Sequence, residues 1–237
     1  MTLKKSAYSE LIIAIDGPAG AGKSTVALAL ANKLGLRYID TGAMYRALAF
    51  KAQKYGIGPL EGQKAAELCA KSIITFGEGI PQAVLLDGED ISNQIRTLEI
   101  GELASALSAH PEVRSLLVTL QQKILRQGGA TLEGRDVTTV VAPNARVKIF
   151  LTASLDERAR RRFEELKAKG ANITYEDVRS QIAERDQRDT TREASPLKIA
   201  EDAIVIDSET LDASGVVQKI LELVEERGAN SRWLENK

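Results

Sequence analysis

LIIAIDGPAGAGKST, residues 11–25, carries an apolar run into a glycine-rich turn and then into a lysine-serine pair that opens a helical pattern. The run LIIAID is short, continuous and apolar, which reads as a buried strand. Gly17, Gly22, Lys23 and Ser24 fit the spacing G-x-x-x-x-G-K-[ST]. Ala19, Gly20 and Ala21 keep side-chain bulk away, so the backbone can approach a phosphate chain. Successive N–H groups then turn inward as a nest, and the helix that follows adds the positive end of its dipole. Lys23 is expected to reach the β- and γ-phosphates, and Ser24 to offer its hydroxyl to Mg²⁺. Gly17, Pro18, Ala19, Gly20, Ala21, Gly22, Lys23, Ser24 and Thr25 together form the expected ATP-binding loop. A flexible glycine turn explains the motif less well, because a strand precedes it and a helix follows it, as phosphate binding requires.

Outward from the loop, STVALALANKLG reads as a helix ending at Gly35, LRYID as a second strand and TGAMYRALAFKAQKYG as a second helix. A strand–loop–helix–strand–helix order favours a parallel, doubly wound α/β sheet. The texture changes near residue 71. KSIITFGEGIPQAVLLDGEDIS holds two apolar runs, and the second ends in Asp87-Gly88, a strong hairpin signal. This predicts a small antiparallel sheet inserted into the α/β scheme. Helical patterns return from about Leu98 to Gln127. ATLEGRD and VKIFLTAS read as strands, ASLDERARRRFEELKAKG and TYEDVRSQIAERDQRDTT as helices. AIVIDS reads as a last core strand, SGVVQKILELVEERG as a closing helix and ANSRWLENK as a frayed tail.

The 237 residues suffice for one large α/β domain or one domain with an insertion. Hydrophobic residues make up 43% and charged residues 27%, with a formal net charge of -1, which speaks against a general nucleic-acid binder. No stretch approaches the roughly 18 apolar residues of a membrane span. The single cysteine, Cys69, excludes an intrachain disulfide and fits a reducing compartment, so a cytoplasmic location is expected. Cys69 sits in a helical pattern and reads as a small core residue. His110, the sole histidine, precedes Pro111 and reads as a helix-boundary residue.

Residues 154–192 hold eight of the chain's 17 arginines, together with nine carboxylates. A solvated helix pair laced with ion pairs accounts for part of this. Spacing sets some members apart. Arg158, Arg161 and Arg162 stand at i, i+3 and i+4; Arg185, Arg188 and Arg192 stand at i, i+3 and i+7. Each set is expected to share one helix face. Two such stripes near a phosphate loop suit a clamp on a transferring phosphoryl group, where an arginine contributes roughly 10³- to 10⁵-fold in rate. Arg160 and Arg179 fall off both faces and read as surface residues. Asp40 and Thr41 follow the second strand, where open α/β sheets present ligands. Arg46 lies about a turn further on and suits a second phosphate. Arg135 and Asp136, in GRD, again stand at an expected strand end.

GPAGAGKST, IDTGAMYRALA, GEDISNQIRT, EGRDVTTVVAPNARVKIFLTAS, ERARRR and ERDQRDTTR occur in this order, and in them the chain resembles the bacterial cytidylate kinases. The likeness runs from about residue 12 to 225. The inserted hairpin and the RDxRDxxR string separate this family from other nucleoside-monophosphate kinases. The resemblance implies a P-loop kinase fold: a single domain with a core of residues 10–40, 130–155 and 195–227, an acceptor-binding insertion of about 41–129 and a short lid of about 156–192. It implies ATP-dependent phosphorylation of CMP and dCMP, with Mg²⁺, by a monomer without nucleic-acid or membrane partners. Arg46 and Arg135 would hold the CMP phosphate, and Thr41, where the family commonly has serine, keeps a ligand hydroxyl. Ser105 and Asp136 would read the cytosine edge, because a carboxylate accepts from the exocyclic amine and repels the oxygen uracil carries there. Arg114, Arg185, Asp189 and Arg192 would complete the acceptor contacts. Arg158, Arg161 and Arg188 match lid arginines that close over the transferring group. Asp207 and Ser208 match an element near the adenine end, and Asp40 is assigned to orienting Mg²⁺-bound water.

Two rival readings fit less well. A kinase of UMP or of a sugar acid leaves Asp136 or the RDxRDxxR string without a task. A nucleotide switch or motor should show an NKxD-type guanine reader, or an apolar run ending in an acidic pair. Neither pattern is present, and VKIFL ends in Thr-Ala-Ser instead.

Overall fold

The computed structural model describes residues 8, 10–77 and 82–229. The run that opens the chain's pattern becomes strand β1 (Ile12–Asp16), the middle of a five-stranded sheet. The other strands are β2 (Arg37–Asp40), β6 (Ala130–Glu133), β7 (Val147–Thr152) and β8 (Ile204–Asp207), in the order β2-β6-β1-β7-β8. β1 pairs in parallel with both β6 and β7, and β7 pairs in parallel with β8. A central parallel strand is covered on both faces, so it needs a continuous apolar run rather than alternation. Ile13, Ala14 and Ile15 are accordingly fully buried.

Helices α1 (Lys23–Leu34), α6 (Leu155–Ala168), α7 (Tyr175–Thr191) and α8 (Ala213–Ala229) accompany this sheet. α1 starts at Gly22 and stops at Gly35, both in the left-handed region where glycine carries no Cβ penalty. Leu30 of α1, Ile13 and Ile15 of β1, Val147 and Ile149 of β7, and Val216 and Ile220 of α8 build one hydrophobic core. α8 ends the description, so of the predicted tail residues 230–237 lie outside the described residues.

A second core belongs to helices α2 (Thr41–Lys54), α3 (Gly62–Ala70), α4 (Leu98–Leu107) and α5 (Pro111–Leu125) and to strands β3 (Ile74–Phe76), β4 (Val84–Leu86) and β5 (Glu89–Asp90). The inserted sheet is antiparallel as predicted and has three strands, in the order β3-β4-β5. Asp87 and Gly88 join β4 to β5 with φ of 53° and 89°, the left-handed pair that a tight hairpin turn requires. Residues 78–81, in the connection from β3 to β4, lie outside the described residues. The break between α4 and α5 falls at His110-Pro111, with His110 in the N-cap position of α5. Cys69 is buried in this core.

The chain divides into two compact units. The first comprises residues 1–38, 128–191 and 196–237, the second residues 39–127 and 192–195. β1, β6, β7, β8, α1 and α6–α8 fall in the first unit, α2–α5 with the small sheet fall in the second, and the boundary between the units falls within β2, after Tyr38.

One element was not expected. Val137–Val141 form a single π-helical turn, although the β-branched run VTTVV speaks for a strand. Asp136 O accepts from Val140 N at 2.8 Å and Val141 N at 3.2 Å, which closes the turn.

Candidate active site

The phosphate loop leaves β1 at Asp16 and enters α1 at Lys23. Gly17 has φ 150°, and a Cβ there would stand 1.9 Å from the carbonyl oxygen of Leu151 on β7. Glycine is therefore required by contact as well as by conformation. Gly20 and Gly22 follow with φ of 79° and 89°. Lys23 is buried, and its Nζ donates to Pro18 O at 2.7 Å, folding the side chain back over the loop. Burial lowers its pKa most, the positive charges of Arg135 and Arg185 lower it further, Glu133 and Asp16 oppose, and the result is about 7.

Ser24 donates from Oγ to Glu133 Oε1, which also accepts from the Tyr38 hydroxyl at 3.2 Å. Glu133 is the last residue of β6, buried beside the loop. It was not singled out from the sequence, where it is one acid of the polar strand end in TLEGRD. The alignment of β6 with β1, Ile15 opposite Glu133, brings it to the loop.

Beyond Glu133, Arg135 donates from Nε to Asp189 Oδ2 at 2.8 Å, and Asp189 is 4% exposed. Asp136 is also buried. Arg158 is buried and reaches the loop: its Nη1 donates to Ala19 O at 3.0 Å and pairs with Asp186, while Nε donates to Ala153 O. The other oxygen of Asp186 accepts from Ala19 N at 3.1 Å. Asp186 thus ties α7, α6 and the phosphate loop together, a role its place in the ERDQRD string does not reveal. Arg161 donates from Nη1 and Nη2 to the hydroxyl and carbonyl of Ser208, and from Nε to Glu157. Ser208 Oγ in turn lies 3.1 Å from Ala21 O. The expected element near Asp207-Ser208 is therefore in contact with the loop through Ser208. Arg188 is exposed and has no hydrogen bond or ion pair among the described residues.

The two expected arginine stripes need correcting. Arg162 pairs with Glu165 on the surface of α6, apart from the inward contacts of Arg158 and Arg161. Arg192 is not on the face of Arg185 and Arg188, because α7 ends at Thr191. Arg192 Nε donates instead to Ser195 O in the short segment that follows. Arg160 and Arg179 are surface residues in ion pairs with Glu157, Glu164 and Asp156, as expected.

In the second unit, Asp40 caps α2. One oxygen accepts from Ala43 N at 2.8 Å and the other from Arg46 Nη2 at 2.7 Å. Both oxygens of the residue expected to orient metal-bound water are thus engaged in capping and in fixing Arg46. Thr41 is the first residue of α2 and is buried. Arg114 is buried on α5, donates to Ser108 O at 3.0 Å and stands 5.3 Å over the Tyr45 ring. Ser105 is buried on α4, and its Oγ has no hydrogen-bond partner among the described residues. A buried hydroxyl without a partner is costly unless something binds it, which suits a ligand contact. The site residues thus fall into two groups, one within each unit.

A Walker-type loop at the carboxyl end of a central parallel strand, a carboxylate on its serine and two arginines tied to its carbonyl groups or to their immediate neighbours define a phosphoryl-transfer enzyme of the P-loop kinase class. The fold agrees. A gluconokinase from Sinorhizobium meliloti 1021 superposes with a TM-score of 0.50 at 12% identity, covering 97% of this chain and 99% of that one. A protein of Eubacterium ventriosum described as uncharacterized gives a TM-score of 0.51 at 13% identity, covering 92% and 99%. Both similarities concern the fold alone. The family is set by sequence: the cytidylate kinase model matches residues 13–226, and the chain belongs to that family. The cytidylate kinase of Caldicellulosiruptor bescii is 51% identical over 213 residues, 89% of this chain and 94% of that protein. That of Geobacter sp. strain M21 is 49% identical over 216 residues, 91% of each.

Proposed function

We propose that the chain transfers the γ-phosphoryl group of ATP to the phosphate of CMP, and of dCMP, releasing ADP and the nucleoside diphosphate. The bond from the γ-phosphorus to the β,γ-bridging oxygen breaks as a bond to an acceptor phosphate oxygen forms. Family membership supports the reaction class. The observation that carries the site reading is the convergence of Lys23, Ser24, Glu133 and Arg158 on one loop.

The acceptor is already an anion, so no strong base is needed, and the chemistry rests on alignment and charge neutralisation. Lys23 and the loop N–H groups would hold the donor phosphates. Arg158, kept against Ala19 by Asp186, would meet charge developing on the transferring group, with Arg161 and Arg188 on the same two lid helices. Thr41, Arg46, Arg114, Arg135, Arg185, Asp189 and Arg192 are proposed acceptor ligands. Asp136 and Ser105 would read the base. Asp40 is proposed to act by holding Arg46.

Mg²⁺ is tested by the donor set. A serine hydroxyl and a single carboxylate are hard oxygen ligands, and Mg²⁺ takes few protein ligands beside water and phosphate oxygens. Ser24 and Glu133 fit this, and the hydrogen bond between them shows that they face one another. They would hold the ion, which when bound supplies positive charge to the phosphate oxygens.

No helix among the described residues is long and apolar enough to cross a membrane. We place the enzyme in the cytoplasm as a monomer acting on small soluble nucleotides.

The test is ADP release from Mg-ATP with each nucleoside monophosphate, in wild type and in Asp136→Ala. Strong turnover with CMP and dCMP, weak with UMP and none with AMP or GMP is expected. Asp136→Ala should lose CMP turnover far more than ATP binding; equal losses would count against Asp136 as the base reader.

A further inference from the structure

Asp16, the last residue of β1, is fully buried in a strand that is otherwise apolar. The reaction scheme gives it no task. A carboxylate in such surroundings is costly unless each oxygen is hydrogen-bonded, and here each is. Oδ1 accepts from Val137 N at 3.0 Å. Oδ2 accepts from Thr138 N at 2.8 Å and from the Thr138 hydroxyl. All three donors belong to the two residues that follow Asp136.

Those N–H groups open the turn Val137–Val141, and the first N–H groups of a helical turn have no acceptor within it. The residue in the N-cap position is Asp136. An aspartate there ordinarily folds its own carboxylate onto the N–H groups two and three positions on. Asp136 makes no such bond. The capping task has passed to Asp16, 121 residues before Val137 in sequence.

We propose that Asp16 is a positioning residue for acceptor recognition. By capping the Val137–Val141 turn from the neighbouring strand, it keeps the carboxylate of Asp136 from turning back onto its own backbone. Asp136 and the adjacent Arg135 are thereby presented to the acceptor nucleotide. The proposal rests on the reading of Asp136 as the reader of the base. It gives the two jobs, closing the turn and accepting from a ligand amine, to two aspartates, so that the orientation of Asp136 is not set by its own backbone.

Asp16→Asn tests it. An amide offers one accepting oxygen, and its NH₂ group faces N–H donors, so part of the cap is lost. Thr138→Val removes the hydroxyl donor alone, and Thr138→Ser keeps it. The measurements are KM and kcat for CMP and UMP at saturating ATP, KM for ATP at saturating CMP, and thermal midpoints. For Asp16→Asn, a rise of about tenfold in KM for CMP, at least about fivefold loss of preference for CMP over UMP, and KM for ATP within about twofold are expected, the scale of losing a charged hydrogen bond. Thr138→Val should shift the same two quantities less, and Thr138→Ser should restore them. A lower thermal midpoint with the CMP/UMP preference intact overturns the proposal, as does an equal rise in KM for ATP and CMP. If Asp16→Asn does not fold, the Thr138 pair decides by the same criteria. Asp136→Ala is run alongside. If it keeps the CMP preference, the reading of Asp136 fails; if it abolishes the preference while Asp16→Asn keeps it, the capping proposal alone fails.

Discussion

Raising the pH should weaken ATP binding through one side chain. Lys23 is buried, and burial together with Arg135 and Arg185 brings its pKa from 10.5 to about 7. Bound polyphosphate favours the charged form, and so raises the pKa again. Binding therefore takes up a proton wherever free Lys23 is neutral. At pH 8 a group with a pKa near 7 is ~0.9 neutral, so ~0.9 proton should be taken up per ATP bound. The dissociation constant should scale as one plus the neutral-to-charged ratio of the free lysine. Between pH 7 and pH 9 that is a rise of roughly 50-fold, with a limiting slope of about tenfold per pH unit. Asp16, raised to about 6 by burial against the hydrogen bonds from Thr138 and Val137, titrates mainly below this window. Cys69 titrates above it.

The assay is isothermal titration calorimetry of ATP into the protein from pH 7.5 to 9, in two buffers of different ionisation enthalpy. The difference in apparent heat gives the proton count directly. Lys23→Arg supplies the control, because a guanidinium stays charged throughout, so its dissociation constant should be flat with pH. A wild-type dissociation constant that is flat over the same range, or no proton uptake at pH 8, would refute the account of a desolvated Lys23. The same shift acts on folding. The native chain holds this proton less tightly than the unfolded chain, so between about pH 7 and 10.5 the unfolded state binds more protons. The contribution of Lys23 to stability therefore rises with pH across that window.

Cys69 should be inert in the native protein: burial pushes its thiol up to about 11, against a smaller opposing effect of Lys51, so a thiol reagent at pH 8 should find no reactive group until denaturant is added, and then one. Gly17→Ala should cost several kcal/mol, enough to abolish soluble folded protein or ATP binding, because the new methyl would meet backbone and not a movable side chain. A Gly17→Ala protein with wild-type thermal midpoint and ATP affinity would contradict that packing.

Most of the architecture is carried by local signals. LIIAID announces a central strand by having no polar alternation. Gly35 stops α1, Asp87-Gly88 turns the hairpin, and Pro111 opens α5, each through a backbone preference that depends on its neighbours in sequence alone. The phosphate loop is legible for the same reason, since its chemistry lies in consecutive residues. Asp16, Glu133 and Asp186 were not legible. Each is one acid among 33, and each acquires its role from a donor far along the chain: Thr138 for Asp16, Ser24 for Glu133, Arg158 for Asp186. Helical spacing tells which residues share a face; it is silent on what that face meets.

The arginines of residues 154–192 show where spacing stops and burial begins to decide. Ion-paired helix surface and the proposed phosphoryl clamp share one segment, and periodicity offers Arg158, Arg161 and Arg162 as equals. The structure separates them by partner. Arg160, Arg162 and Arg179 pair with acids at the surface, where such contacts contribute little. Arg158 and Arg161 spend their guanidinium groups on Ala19 O and on Ser208, each one bond from the phosphate loop or on it. Asp186 holds Arg158 there while its second oxygen accepts from Ala19 N, an N–H of the very loop that should face phosphate. A carboxylate and an incoming phosphate compete for the same kind of donor. On the proposed reading, a donor phosphate that takes Ala19 N would work against Asp186, and through it against the α6–α7 pair that carries Arg158, Arg161 and Arg188. The same ion pair that holds Arg158 in place would then give the loop a route by which to move it.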